Sequence, residues 1–161
     1  METLGQFIKY ITAIIALVGA IKGIIEYSKS QKYKKIEMLE RLITEFGNSD
    51  KKIAKDLLDD FWMKDKKDKI ICYSNLEIVL RNHKESGVSD IVELDARESF
   101  DKLFDFFSKL DYLIQLKLIS KRDLYYFEYY IEKTVANNGC MNYAEIYNYR
   151  SLESLRFILK G

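Results

Sequence analysis

Proline is absent from the 161 residues. Average usage near 5% would supply about eight. Every backbone N–H is therefore free to donate, which suits long helices joined by short polar connections. Histidine is almost absent: His83 is the only one, beside two cysteines. A structural zinc site wants four N or S ligands, so this chain is short of them. Cys72 and Cys140 form no compact metal or redox motif and read as free thiols in a reducing compartment. The seven glycines are scattered, with no G-x-S-x-G elbow and no G-x-x-x-x-G-K-[ST] loop. That argues against a nucleophile elbow and against phosphate cradling.

A charge excess is lacking as well. Lys and Arg number 26 against 25 Asp and Glu, a net charge of +1. A general nucleic-acid binder would show a basic excess. What is present is 48% hydrophobic, 32% charged and 14% aromatic, too apolar for a disordered chain and the length of one ordinary domain. Of 12 tyrosines, seven fall between Tyr125 and Tyr149. A ring with a polar tip favours packing near a surface, an interface or a ligand.

The N-terminus is the longest apolar stretch. Tyr10 to Ile21 is uncharged, and its twelve residues span about 18 Å as a helix. Extension to Phe7–Ile25 gives nineteen residues and about 28 Å, with Lys9 and Lys22 placed to snorkel. This predicts a short transmembrane anchor. A cleaved signal peptide ending at Val18-Gly-Ala20, or a buried core helix, are the rival readings; Glu2 and the single Lys before the apolar stretch weaken the first. Lys29, Lys32, Lys34 and Lys35 follow the stretch. By the positive-inside rule they put the C-terminal bulk in the cytoplasm. Thr12, Ala16 and Ala20 recur every fourth residue, and Gly19 and Gly23 form a G-x-x-x-G pair. Small residues let helix backbones approach in lipid, so these five are the candidate packing residues of a homo-oligomer.

Helical periodicity dominates after residue 30. Met38, Leu39, Leu42, Ile43 and Phe46 share a face, and no Gly or Pro interrupts Ile24 to Phe46. The anchor is expected to continue as a stalk until Gly47-Asn48 stops it. A second helix would bury Ile53, Leu57, Leu58, Phe61 and Trp62. The run from Lys64 to Lys69 reads as a solvated charged segment, and Lys69–Tyr73 as a short extended piece. Ser74-Asn-Leu-Glu77 is a capping-box pattern opening a helix to about His83, and Gly87 breaks it. A long helix follows from Ser89 or Asp95 to Leu116, with Phe100, Leu103, Phe104, Phe107, Leu110, Leu113 and Ile114 as its stripe. Ser120 and Asp123 cap a helix through Val135, Asn137-Asn-Gly139 reads as a turn, and Asn142 and Ser151 open two terminal helices. The fold class is all-α: a membrane anchor over 1–30 and a cytoplasmic helical domain over 31–161.

Chemistry is sparse. A lone His near a helix end serves more often as a capping or surface residue than as a catalyst. Asp90, Glu93, Asp95 and Arg97 have the flavour of a metal-dependent nuclease, but first-turn acids stabilise a helix dipole without further explanation. The better candidate is a binding element. Arg81, Asn82, His83 and Lys84, with Asn75, place cations and hydrogen-bonding groups at one helix end, where phosphates could be held. Tyr125, Tyr126, Tyr129 and Tyr130 could stack on bases, or simply pack. No catalytic residue, metal or cofactor is indicated, so a non-enzymatic protein is expected.

Four segments carry a resemblance. They are Ile11-Thr-Ala-Ile-Ile-Ala-Leu-Val18 with its basic stalk; Leu80-Arg-Asn-His83; Arg97-Glu-Ser-Phe-Asp-Lys-Leu-Phe-Asp-Phe-Phe-Ser-Lys-Leu-Asp-Tyr112; and Tyr125-Tyr-Phe-Glu-Tyr-Tyr-Ile131. The layout resembles small bacterial membrane-anchored helical proteins of unknown function. In size and architecture it is also similar to the membrane effector of type III CRISPR antiviral defence. That resemblance implies a tetrameric homo-oligomer in the bacterial inner membrane. A cyclic oligoadenylate would bind its cytoplasmic domain and perturb the membrane helices. It implies membrane lipid, further copies of the chain and a nucleotide second messenger as partners; the near-neutral charge argues against duplex nucleic acid. The alternative is a membrane-tethered protein that recruits a cytoplasmic partner.

Overall fold

The computed structural model describes residues 2–60, 62–64, 70–72, 76–80 and 91–160; side chains are described for Thr12 and from Ile14 onward, apart from Asp60 and the two short strands. The chain divides into two compact units, Met1–Glu40 and Arg41–Gly161.

The first unit is helical throughout its described residues. It belongs to α1 (Glu2–Phe46), 45 residues long. The helix ends where Gly47 donates its N–H to the Ile43 carbonyl at 3.0 Å and Asn48 donates to Glu45 at 3.3 Å. Among the described residues, no helix is long and apolar enough to cross a membrane. The uncharged stretch, Tyr10 to Ile21, is bounded by Lys9 before it and by Lys22, Glu26 and Lys29 after it. Twelve residues make about 18 Å of helix, against about 30 Å of hydrocarbon. The expected transmembrane anchor is therefore corrected. With it go the single-pass inner-membrane location, the lipid partner and the membrane-tethered alternative. The expected homo-oligomer rests on helices approaching one another in lipid, and without a span that reasoning has no footing.

The second unit is built around α4 (Ile91–Gln115), on which α2 (Lys52–Asp60), α3 (Leu76–Val79) and α7 (Ser151–Lys160) pack. Two further helices, α5 (Glu128–Ala136) and α6 (Asn138–Ile146), complete the layer. Helix α5 lies against α2, α6 and α7, while α6 reaches α3. Phe100, Leu103, Phe104, Phe106, Phe107 and Leu110 of α4 are buried. Phe106 meets Phe46 and Phe127 with all three centroid separations between 5.2 and 5.3 Å. Such tilted and edge-on ring pairs add to burial.

The α1 terminus shows how distant residues finish an element. Four carbonyls at a helix end lack intrahelical partners, and the last turn of α1 holds no basic residue. Lys51, buried, donates to the Glu45 carbonyl at 3.2 Å, and Lys55 donates to the Phe46 carbonyl at 2.9 Å. Cations at that end also suit the helix dipole. At the start of α2, the Ala54 N–H donates to Ser99 Oγ at 3.0 Å, and Ser99 Oγ donates to the Asp50 carbonyl at 2.8 Å. A hydroxyl from α4 thus does the work of an N-cap.

Three sequence expectations change. Helix α2 stops at Asp60, and Trp62–Lys64 pairs antiparallel with Ile70–Cys72, Trp62 opposite Cys72. The extended piece near Lys69–Tyr73 is thus one strand of a hairpin; Trp62 leaves the helix to form the other. The segment capped by Ser120 begins as a 3-10 turn, Lys121–Tyr126, with the Ser120 N–H and hydroxyl both donating to Asp123 Oδ2 at 2.7 Å. Asn137-Asn-Gly139 is not a loop. Asn137 alone separates α5 from α6, and its Oδ1 accepts from the Cys140 N–H at 3.1 Å. Gly139 lies inside α6 because a Cβ there would stand 2.7 Å from the Glu77 backbone nitrogen. The glycine serves close helix packing rather than a turn.

Candidate binding groove

The residues first singled out for ligand binding, Asn75, Arg81, Asn82, His83 and Lys84, lie outside the described residues. So do Phe61, Ser74, Gly87, Asp90 and the charged segment over 65–69. The small residues Thr12, Ala16, Gly19, Ala20 and Gly23 sit exposed on α1, with nothing within 4 Å of a Cβ built on either glycine. Among the described residues, no group of three His, Cys, Asp or Glu could hold a metal ion. Of the nuclease-like set, Glu93 lies in the first turn of α4, and Arg97 is buried, its Nε donating to the Val79 carbonyl at 2.7 Å.

The tyrosine-rich segment divides in two. Tyr125 and Tyr126 are exposed and touch edge to face at 5.9 Å. Tyr129 and Tyr130 instead donate their hydroxyls to Asp59 of α2, at 2.8 and 2.9 Å, and Lys133 donates to the same carboxylate at 2.8 Å. Burial pushes the Asp59 carboxyl up, but hydrogen bonds from Lys133, Tyr129 and Tyr130 outweigh it and hold it below its ordinary range. Burial and the Asp59 carboxylate push the Tyr130 hydroxyl up to about 12. This node joins α2 to α5 and leaves those two rings as structural struts.

A second node frames a groove. Tyr143 and Tyr149 both donate to Asp101 Oδ1 of α4, at 2.9 and 3.2 Å. Burial, then Asp101 and Asp105, raise the Tyr149 hydroxyl well above its ordinary value, so it stays protonated and anchored. Beyond Tyr149 the backbone turns at Asn148, whose φ of 64° is left-handed. The Tyr149 N–H returns to the Ala144 carbonyl at 2.8 Å, closing α6. Asn tolerates this conformation better than most residues.

That turn separates α6 from α7, and between α5, α6 and α7 opens a cavity of about 640 Å³. Its apolar lining is Val135, Ala136, Met141 and Ala144, joined by Tyr149. One wall is polar: Asn138, Asn142 and Glu145 of α6, spaced i, i+4, i+7 and so on one helix face. The other holds Glu153 and Arg156 of α7, with Asn148 and Arg150 at the turn. The Arg150 Nε is fixed by Asn148 Oδ1 at 2.9 Å. The Arg156 guanidinium has no hydrogen bond or ion pair among the described residues. A smaller cavity of about 290 Å³ shares Val135, Ala136 and Arg156 and continues past Leu159 to Lys160. Arg156 stands where the two meet.

Chemically the groove offers amides, two carboxylates and two guanidiniums beside a few apolar side chains. Cys140, buried beside it on α6, has its thiol pushed far up by burial and stays protonated. Sequence reading missed the groove because its residues were read as helix openings and a turn. The i, i+4 pair Asn138 and Asn142 was the available signal. Comparison with protein-family models, with curated proteins and with solved structures finds no match to this chain. The likeness to small membrane-anchored helical proteins and to the CRISPR membrane effector therefore has no support. The cyclic-oligoadenylate partner, the antiviral role and the membrane-perturbing mechanism go with it.

Proposed function

We propose that the chain is a non-enzymatic binding module whose α5–α6–α7 groove takes an extended polypeptide segment. One observation carries the reading: the paired amides of Asn138 and Asn142 on the wall of an open polar groove. Residues four apart on a helix rise about 6.0 Å. An extended chain advances about 6.7 Å every two residues, and every second peptide group faces the same way. Each Asn side chain offers both a donor and an acceptor, matching a backbone C=O and N–H. Arg156 then suits an acidic side chain of the bound segment, and Glu153 a basic one. With two Arg and two Glu, the groove carries no net charge, which favours mixed-charge peptides over a polyanion such as a nucleic acid.

The test is selection of random twelve-residue peptides on the full chain, followed by titration of the enriched ones. Dissociation constants of about micromolar order are expected for such a short interface. Asn138→Ala and Asn142→Ala should each weaken them by about tenfold, the worth of a lost amide pair. Arg156→Ala should remove any preference for an acidic residue. Tyr125→Ala, exposed and away from the groove, should change nothing. Enriched peptides that ignore the Asn substitutions would overturn the proposal, as would no enrichment at all.

A further inference from the structure

On α1 the sequence sorts side chains by size. At 100° per residue, Ile14, Val18, Ile21 and Ile25 fall on one side, while Ala16, Gly19, Ala20 and Gly23 fall on the other. The aliphatic side is bare. Every Ile, Leu and Val from Ile14 to Ile25 is between 49% and 69% exposed. A stripe of that kind is an unfilled helix-packing seam. What it fits is decided by the turns that follow. Val18 and Ile25 continue in steps of seven to Lys32, and Lys29 lies within 60° of the same line. From Lys22 to Lys35 there are five lysines and one acid, Glu26, which pairs with Lys22 across 3.8 Å. Lys29 and Lys32 have no ion pair among the described residues.

We infer that this face of α1 docks an amphipathic helix of a partner protein, apolar against Ile14–Ile25 and acidic against Lys29 and Lys32. A parallel second copy would set Lys29 against Lys29 and Lys32 against Lys32. Like charges facing across a seam repel, so the lysines select against that pairing. Carboxylates at those positions would instead be met by unpaired cations, which also steer encounter at low salt. This surface is separate from the groove and does not depend on it.

The probe is a synthetic helix of about three heptads with Ile and Leu at a and d, made in two forms, with Glu or with Lys at e and g. The full chain should bind the Glu form at least about tenfold more tightly, and added salt should narrow the gap. Lys29→Glu with Lys32→Glu should reverse the preference. Val18→Asp, on an exposed face that folding does not use, should abolish binding of both forms. Equal affinity for the two forms, or none for either, overturns the inference. So does a chain whose seam is already filled by a second copy, seen as an oligomer that Val18→Asp dissociates. Binding to anionic lipid vesicles in place of the peptide would overturn it too.

Discussion

Asp59 collects three donors, from Tyr129, Tyr130 and Lys133, and its carboxyl is held below the ordinary 3.8 of an aspartate. A depressed folded value means the unfolded chain takes up the proton first. The contribution is whole above the unfolded value and is lost as pH falls through the lower folded one. Denaturant titrations from about pH 6 to about pH 2 should therefore show a fall in stability that is smaller in Asp59→Asn. Parallel curves for the two proteins would remove the node from the account. Gly139 is the other residue with a sharp expectation. Its missing Cβ would stand 2.7 Å from the Glu77 nitrogen and 3.0 Å from the Leu76 carbonyl carbon. Both are backbone, so they cannot swing aside. Gly139→Ala should cost about 1–3 kcal/mol in chemical denaturation, although alanine favours helix. A neutral or stabilising result would mean that α3 and α6 can separate freely.

The elements are joined by side chains from far along the chain. Ser99 on α4 caps α2 across 45 positions. Ser99→Ala leaves the Ala54 N–H without its acceptor and should cost about 1–3 kcal/mol. Equilibrium unfolding measures this directly, and a loss under about 0.5 kcal/mol would show that water replaces the hydroxyl. This also marks where sequence reading ran out. The stripe of α4 was legible, since Phe100, Leu103, Phe104, Phe107 and Leu110 recur with helical period and all are buried. The stop at Gly47 and the start at Ser151 were legible from local chemistry. Leu113 and Ile114 belong to the same pattern yet are only half-buried, and Phe106 was missed although it is buried among Phe46, Phe107 and Phe127. Periodicity finds a face; it does not say where the neighbouring helices end. Ser99 reads as a polar interruption until α2 lies beside it. Gly139 reads as a turn until α3 does. The N-terminal reading failed for a related reason. Hydropathy over Phe7–Ile25 averages across Lys9 and Lys22, whereas the uncharged stretch between them, Tyr10 to Ile21, is only twelve residues.

For the molecule as a whole, the groove follows from helix order. Asn137 alone connects α5 to α6, so the second helix starts where the first ends and the two pack together. Asn148, left-handed, turns the chain so that α7 returns to pack on α4 and α5. The polar faces of α6 and α7 are left lining one cavity, and Tyr149 in that lining is tied, like Tyr143, to Asp101. None of the wall residues is close in sequence to the Arg81–Lys84 segment that first drew attention for its cations. Charge density along the chain pointed to one place, and the packing of three short helices opened another.

The central claim is that a peptide lies along the α6 wall of this groove. Backbone and side-chain amide resonances of the full chain, followed while a selected peptide is added, test it most directly. The account expects the side-chain amides of Asn138 and Asn142 to shift, together with the backbone from Met141 to Arg150 and the Arg156 guanidinium. Tyr129, Tyr130 and the Asp59 node should stay unmoved. Shifts confined to another face, with Asn138 and Asn142 unchanged at saturation, would contradict it.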